Sequence, residues 1–268
     1  MSTGAPLASM TFADGNVLAS RRVPIVTIVI NRPEVKNALD VKTARGLAGA
    51  FQMADADEEV QAIVVTGAGG SFCSGADLKE MAASGGYFPW ADAAEGPLGM
   101  PLSKPVIAAV EGHACAEGLG VALFCDIRII DDSAMFGVFS RRWGVPTGDG
   151  TTVRLPRIVG QGRALEMVIT GRAVGADEAI AIGLAHRKVP RGAARAEAEK
   201  LAMQVAGMPQ TALLSDRRSV YEGLDRESAA AIRREIELAR AAFGPEAHDG
   251  VSRFAERGKP SLRRLIRA

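Results

Sequence analysis

Two stretches decide the fold of this chain: Ser71-Phe-Cys-Ser-Gly-Ala-Asp-Leu-Lys-Glu-Met81 and Pro105-Val-Ile-Ala-Ala-Val-Glu-Gly-His-Ala-Cys-Ala-Glu-Gly-Leu-Gly120. The first follows a strand-like apolar run at 62–66, and the second contains another at 106–110. Each run ends in small residues that open a helix-like segment, so free backbone N–H groups collect at two loop tips. Two such donors that converge on one point would form an oxyanion hole.

The surrounding pattern predicts an α/β fold. Apolar runs of strand length occur at 23–30, 62–66, 106–110, 127–130 and 183–189, with helical stretches between them. Asp40 predicts an N-cap for a helix that runs to about Ala54. This alternation predicts mostly parallel strands, with ligands bound at the loops beyond the strands' C-terminal ends.

After about residue 193 the strand signal ends and the chain becomes rich in alanine, arginine and glutamate. Helices are predicted at about 193–205, 211–222, 227–243 and 248–256, which divides the chain into a core (1–204) and a helical C-terminal region (205–268). Amphipathic helices of this length are marginal in water, so their apolar faces should pack on the core or on another subunit.

Composition limits the classes of partner. The chain has 268 residues, 47% hydrophobic, and its 32 basic and 31 acidic side chains leave a formal net charge of +1. This balance argues against nucleic acid or an anionic membrane as the main partner. No export signal or long apolar span is evident, so a cytoplasmic protein is predicted. The three cysteines lack metal-ligand spacing and are expected to be reduced and buried, with no metal site.

The two stretches, together with Asn31-Arg-Pro-Glu-Val-Lys-Asn-Ala-Leu39 and Arg253-Phe-Ala-Glu-Arg-Gly-Lys-Pro260, resemble the enoyl-CoA hydratase/isomerase family, also called the crotonase superfamily. The likeness runs from about residue 20 to 261. It implies a crotonase-like ββα-repeat spiral core with a helical C-terminal trimerisation region, assembled as a homotrimer or a dimer of trimers. It also implies an acyl-CoA substrate and no cofactor beyond the CoA of that substrate.

The resemblance assigns roles to individual residues. The backbone amides of Ala76 and Glu117 match the two donors that polarise the thioester carbonyl. The residues that would contact CoA are Lys36, Ala38, Ala76, Asp77, Leu78, Lys79 and, across a subunit boundary, Lys259.

Hydratases of the family hold and split water with two glutamates, and this chain has neither. The family pattern places Gly120 and Ser140 at the two positions. Asp149 lies nearby, at the start of a helix-like segment near Thr151. It is interpreted with equal weight as an N-cap of that helix and as a catalytic acid/base.

Glu117 raises a second question, because its charge would oppose the negative charge that develops on a thioester oxygen. At an effective dielectric near 20, two unit charges about 4 Å apart cost roughly 4 kcal/mol. Glu117 should therefore point away, be protonated, or act as the base. A further cost arises if this position needs φ > 0.

The predicted function is that of an acyl-CoA enzyme that stabilises a thioester enolate. Two alternatives stay open because both glutamates are replaced. One is an acyl-CoA-binding protein without catalytic activity, and the other is an isomerase with a single carboxylate.

Overall fold

A computed structural model describes residues 8–83, 101–242 and 244–245. Within these residues the chain forms ten strands and nine α-helices. The strands are β1 (Ala8–Phe12), β2 (Val17–Arg22), β3 (Ile25–Ile30), β4 (Ala62–Gly67), β5 (Val106–Val110), β6 (His113–Cys115), β7 (Ile127–Asp131), β8 (Met135–Gly137), β9 (Val174–Gly175) and β10 (Arg187–Val189). The helices are α1 (Val41–Ala56), α2 (Leu78–Ala83), α3 (Glu117–Phe124), α4 (Thr151–Val159), α5 (Gln161–Thr170), α6 (Ala176–Ala181), α7 (Ala194–Ala206), α8 (Gln210–Gly223) and α9 (Ser228–Ala242).

The larger of two sheets in the described chain has the strand order β1-β2-β3-β4-β5-β7-β10. Its first three strands are antiparallel, and β3, β4, β5, β7 and β10 are parallel. All six residues of β3 and all five of β5 are buried, as expected for strands covered on both faces. The predicted α/β alternation is therefore confirmed.

Helices cover both faces of this sheet. On one face, α1 buries Leu47, Ala50 and Phe51 against the main core. Its predicted N-cap is confirmed, because the Thr43 amide donates a 2.6 Å hydrogen bond to Asp40 Oδ1. On the other face, the alanines of α7 pack against a smaller apolar cluster that includes Ile107 and Ile129.

The smaller sheet has the order β6-β8-β9 and carries the turn that leads into α3. Strand β6 is parallel to β8, and β8 is antiparallel to β9. The strand predicted over 183–189 is shorter than expected: only Arg187–Val189 is extended, because Gly183 takes a positive φ in the turn after α6.

The described chain divides after Ala206 into two compact units. In the second unit α8 packs on α9, and Glu222 of α8 forms ion pairs with Arg218 (2.5 Å) and Arg234 (2.6 Å). The helical character predicted for the C-terminal region is confirmed for these two helices; the helix predicted at 248–256 lies outside the described residues. None of the helices in the described ranges is long and apolar enough to cross a membrane.

Candidate active site

The two loop tips singled out in the sequence lie side by side. The Cys73 amide donates to the His113 carbonyl oxygen at 2.7 Å, and the Cys115 amide donates to the Cys73 carbonyl oxygen at 3.0 Å. These bonds join the segment before α2 to β6. The Gly75-Ala76 turn is thereby held against the start of α3.

A third segment, 36–39, lies along the other side of the 74–77 segment. The Ser74 amide donates to the Lys36 carbonyl oxygen at 3.0 Å, and the Asp77 amide donates to the Leu39 carbonyl oxygen at 2.9 Å. The structure therefore brings Lys36, Ala38, Ala76 and Asp77 together, and we call segments 36–39 and 74–77 the binding edge. Leu78 and Lys79 follow directly at the start of α2 and are exposed. Lys259 lies outside the described residues.

Sequence reasoning missed two residues that hold the binding edge. Arg32 forms ion pairs with Asp40 (3.2 Å) and Asp77 (3.1 Å) and donates to the Ala38 carbonyl oxygen. The fully buried Asn37 side chain donates to the carbonyl oxygens of Ala68 and Ser71 and accepts from the Arg32 amide. Both residues lie inside the 31–39 motif, so the motif was the sequence feature from which their role could have been predicted.

The turn into α3 is strained at Ala116, where φ is 48° and ψ is −123°. The positive φ considered for Glu117 therefore falls one residue earlier, and Glu117 itself begins the helix. The next residue must be small, since a Cβ on Gly118 would lie 2.8 Å from the Cys73 carbonyl carbon and closer still to its oxygen. This close approach places the first amides of α3 beside the 73–76 segment.

The Glu117 carboxylate does not point away from this site. Its Oε2 atom accepts a 2.8 Å hydrogen bond from the Ala76 amide, and the residue is only 4% exposed. Burial raises the pKa of Glu117 and the charge of Asp149 raises it further, while hydrogen bonds from the Ala76 amide and from its own amide lower it. The Glu117 carboxylate thus takes up the hydrogen bond of the Ala76 amide, which the resemblance assigns to a thioester oxygen.

Asp149 uses one carboxylate oxygen and leaves the other unpaired. Oδ1 accepts a 2.9 Å hydrogen bond from the Thr151 amide, the first amide of α4. Oδ2 has no hydrogen-bond partner in the described chain, although the residue is only 3% exposed. Burial raises the pKa of Asp149, and the Thr151 amide opposes that rise. The N-cap position belongs to Gly150, so the N-cap prediction was wrong by one residue.

Gly120 and Asp149 compete for the same space. A Cβ at position 120 would lie 2.6 Å from Asp149 Cγ, 2.9 Å from its Cβ, and closer still to Oδ2. Real Cβ atoms do not approach other atoms this closely, so position 120 can carry a side chain only if Asp149 moves or is shortened. The space that a side chain at position 120 would need is filled by a carboxylate from the segment before α4.

Other polar groups of the region are buried as well. Ser140, which the family resemblance places at the second glutamate position, is 6% exposed, and its Oγ has no hydrogen-bond partner among the described residues. His113 lies on β6 with Nδ1 3.4 Å from Ser71 Oγ, and burial lowers its pKa.

The three cysteines lie in apolar surroundings. As predicted, Cys73, Cys115 and Cys125 are buried and free. Burial raises the pKa of Cys73 and Cys125, so both thiols are held in the neutral form. No group of three or more His, Cys, Asp or Glu side chains in the described part of the chain could hold a metal ion.

Comparisons with known proteins agree with this geometry. The sequence profile described as Enoyl-CoA hydratase/isomerase matches residues 21–264. Enoyl-CoA hydratase EchA19 of Mycobacterium tuberculosis is 32% identical over 92% of this chain and 96% of its own length. Short-chain-enoyl-CoA hydratase of Clostridium acetobutylicum is 32% identical over 91% and 96%.

Solved structures show the same fold. A crystal structure of an enoyl-CoA hydratase subunit from Geobacillus kaustophilus superposes with a TM-score of 0.85 at 31% identity, covering 92% of this chain and 97% of that one. Enoyl-CoA hydratase EchA1 of Mycobacterium marinum gives 0.84 at 32% identity, covering 91% and 97%. The crotonase-like fold expected from the motifs is confirmed, and this chain belongs to the enoyl-CoA hydratase/isomerase family.

Proposed function

We propose that this protein binds an acyl-CoA thioester and moves a proton at its α-carbon through an enolate, with Asp149 as the single acid/base. The observation that supports this most is the buried, unpaired Asp149 Oδ2 in the space that a side chain at position 120 would need. Buried unpaired carboxylate oxygens are costly, so they are rare outside sites where they act on a ligand.

The CoA part of the substrate would bind along the binding edge and the residues that follow it. Lys36 and Lys79 are exposed and would meet CoA phosphates, with Ala38, Asp77 and Leu78 along the path of the coenzyme. The Ala76 and Glu117 amides would donate hydrogen bonds to the thioester oxygen, which carries the negative charge of the enolate. Lys259 keeps its proposed role at a CoA phosphate, and no cofactor other than substrate CoA is proposed.

The environment of Asp149 suits proton transfer. Burial raises the pKa of Asp149, and a raised pKa brings a carboxyl group closer to neutral pH, which favours general acid–base catalysis. The hydrogen bond from the Thr151 amide to Oδ1 fixes the group while Oδ2 stays available. A positioned acid/base of this kind contributes about 10²–10⁴ in rate.

Efficient hydration is not proposed, although relatives carry hydratase names. Hydration needs one group to deprotonate water and a second to order it and protonate the α-carbon. Neither Gly120 nor Ser140 offers a carboxylate. Asp149 restores one of the two, which suits an isomerisation or α-proton exchange better than the addition of water.

The test is exchange of the α-hydrogens of butyryl-CoA in D₂O, followed by mass spectrometry. The Asp149→Asn variant keeps an oxygen for the Thr151 amide but cannot accept a proton, so exchange should fall by about 10²–10⁴. Asp131→Asn is the matched control. Asp131 is 1% exposed, and its Oδ1 accepts from the Ser133 amide at 2.8 Å, two residues on, as in Asp149.

Two results would contradict the proposal. Unchanged exchange in Asp149→Asn would restrict Asp149 to holding the start of α4. Binding of butyryl-CoA without exchange by the unmodified protein would favour the alternative of an acyl-CoA-binding protein without catalytic activity.

The assembly and location stay predictions. A homotrimer or a dimer of trimers is proposed on the family resemblance and on the exposed apolar side chains of Val220 in α8 and Ile232 and Ile236 in α9. Molar mass from light scattering tests it, and a monomer would contradict it. The cytoplasmic location inferred from the sequence is likewise untested.

A further inference from the structure

The donors expected to hold the substrate oxygen already hold a group of the protein itself. The Ala76 amide donates a 2.8 Å hydrogen bond to Glu117 Oε2. The carboxylate oxygen lies in the position expected for a thioester oxygen. The two oxygens cannot both accept a well-aligned hydrogen bond from the same amide. The bound and unbound states of the site must therefore differ in the position of the Glu117 side chain.

The packing around Glu117 holds its side chain in the position in which it accepts the Ala76 hydrogen bond. Glu117 is only 4% exposed, and a Cβ on Gly75 would lie 3.1 Å from its Oε2 atom. A buried carboxylate needs hydrogen bonds to offset lost hydration, and bonds from N–H donors to an ionised oxygen are about twice as strong as bonds to a neutral one. The charged form of Glu117 is accordingly the form that the Ala76 amide holds best.

We propose that Glu117 is a specificity-determining residue that acts as an internal competitor for the oxyanion amides, so that a thioester carbonyl binds only when the Glu117 side chain is displaced, which protonation of its carboxylate favours. This inference rests on the proposed function, since it concerns the same thioester site. The apparent association constant for a thioester is then the intrinsic constant multiplied by the fraction of molecules in which the amides are free. CoA without an acyl group has no carbonyl to place there and is not subject to the competition.

The competition should depend on pH. The groups that face Glu117 are Asp149, from the segment before α4, and the Cys73 thiol, from the segment before α2. Arg154 of α4 acts on Asp149, and Cys115 of β6 acts on Cys73. Burial raises the pKa of both thiols, so they stay neutral across the range in which Glu117 and Asp149 titrate.

The first experiment compares the Glu117→Gln variant with the unmodified protein by calorimetry, using butyryl-CoA and free CoA as ligands. A neutral amide oxygen holds the backbone donors less strongly, so butyryl-CoA should bind about tenfold more tightly, as expected if about a tenth of the unmodified molecules have free amides. Affinity for free CoA should stay within about twofold. Glu117→Ala removes the competitor altogether and should show at least the same gain.

The second experiment separates the two carboxyl groups by pH. Protonation weakens Glu117 as an acceptor, so butyryl-CoA should bind more tightly as the pH falls through the raised pKa of Glu117. This change should persist in Asp149→Asn, with its midpoint at lower pH because the Asp149 charge no longer raises the Glu117 pKa. It should be absent in Glu117→Gln.

The outcomes distinguish this inference from the proposed function. Equal or weaker butyryl-CoA binding by both Glu117 variants would overturn the internal competitor and leave the role of Asp149 standing. A pH dependence retained in Glu117→Gln would overturn it as well. No binding of butyryl-CoA by any of the proteins would overturn the proposed function together with this inference.

Discussion

The binding edge and the carboxylate region next to it are held together by different interactions. The binding edge, 36–39 with 74–77, is joined by backbone hydrogen bonds of 2.8–3.0 Å, for example from the Leu39 amide to the Gly75 carbonyl oxygen. The carboxylate region, 116–120 with 149–151, depends on side chains that fill one another's space, as Asp149 does beside Gly120. Backbone pairing tolerates side-chain change, whereas the second arrangement requires matched changes at two positions.

This difference predicts that substitutions in the two regions have different effects. At positions 120 and 149, a larger side chain at one position requires a smaller one at the other. Substitutions at positions 120 and 149 should therefore affect catalysis and stability, whereas substitutions on the binding edge should affect the affinity for the ligand.

The largest effect is expected on hydration of crotonyl-CoA. The unmodified protein should hydrate it slowly, because Gly120 and Ser140 supply no carboxylate. The triple variant Glu117→Gly, Gly120→Glu, Asp149→Ala frees the Ala76 amide, moves the single carboxylate from position 149 to position 120 and removes Asp149 Cγ and Oδ2 from its path. Its rate should rise by about 10²-fold, the lower end of the contribution from one oxyanion donor. Loss of the enoyl-thioester absorbance measures it.

The control is the double variant Glu117→Gly, Gly120→Glu with Asp149 retained. It should gain nothing, because the new side chain at position 120 meets Asp149 Cγ and Oδ2. Equal gains in the double and triple variants would show that the two positions do not exclude each other. Turnover by the unmodified protein on the order of 10 s⁻¹ would show that two glutamates are not needed here.

A smaller effect, on stability, tests the packing match directly. Gly120→Ala should lower the free energy of unfolding by about 2 kcal/mol, within the range for overpacked sites. In an Asp149→Ala background the same substitution should cost clearly less, since Asp149 Cγ and Oδ2 are gone and only the Cβ contact of 2.9 Å remains. Denaturant unfolding measures both values.

Gly162 of α5 is the matched control, since a Cβ there meets nothing within 4 Å. Gly162→Ala should stabilise by about 0.4–1 kcal/mol, through the entropy of the unfolded chain. If Gly120→Ala behaved like Gly162→Ala, the space beside α3 would not be filled by Asp149.

The sequence predicts the binding edge well and the carboxylate region poorly, for a physical reason. Strands, loop tips and the 31–39 motif are local patterns, so β3, β5 and the Asp40 cap follow from neighbouring residues. The exclusion between Gly120 and Asp149 joins two motifs that are distant in the chain, and neither motif alone contains it. Likewise, the strain falls on Ala116 and not on Glu117 because the turn closes against Gly137, whose carbonyl oxygen accepts from the Ala116 amide.

The smallest effect is expected on the binding edge, at Lys36. This exposed side chain has no role in the proposed proton transfer, and one exposed ion pair is worth about 0.2–1 kcal/mol. Lys36→Ala should weaken butyryl-CoA binding by about two- to fivefold at low salt and by less at high salt, because salt screens exposed charges. The exchange rate at saturating butyryl-CoA should not change. Lys200→Ala, which removes an exposed lysine from α7, should alter neither quantity. A fall in the saturated exchange rate of Lys36→Ala would mean that the binding edge also positions the reacting atoms, and the separation between the two regions would fail.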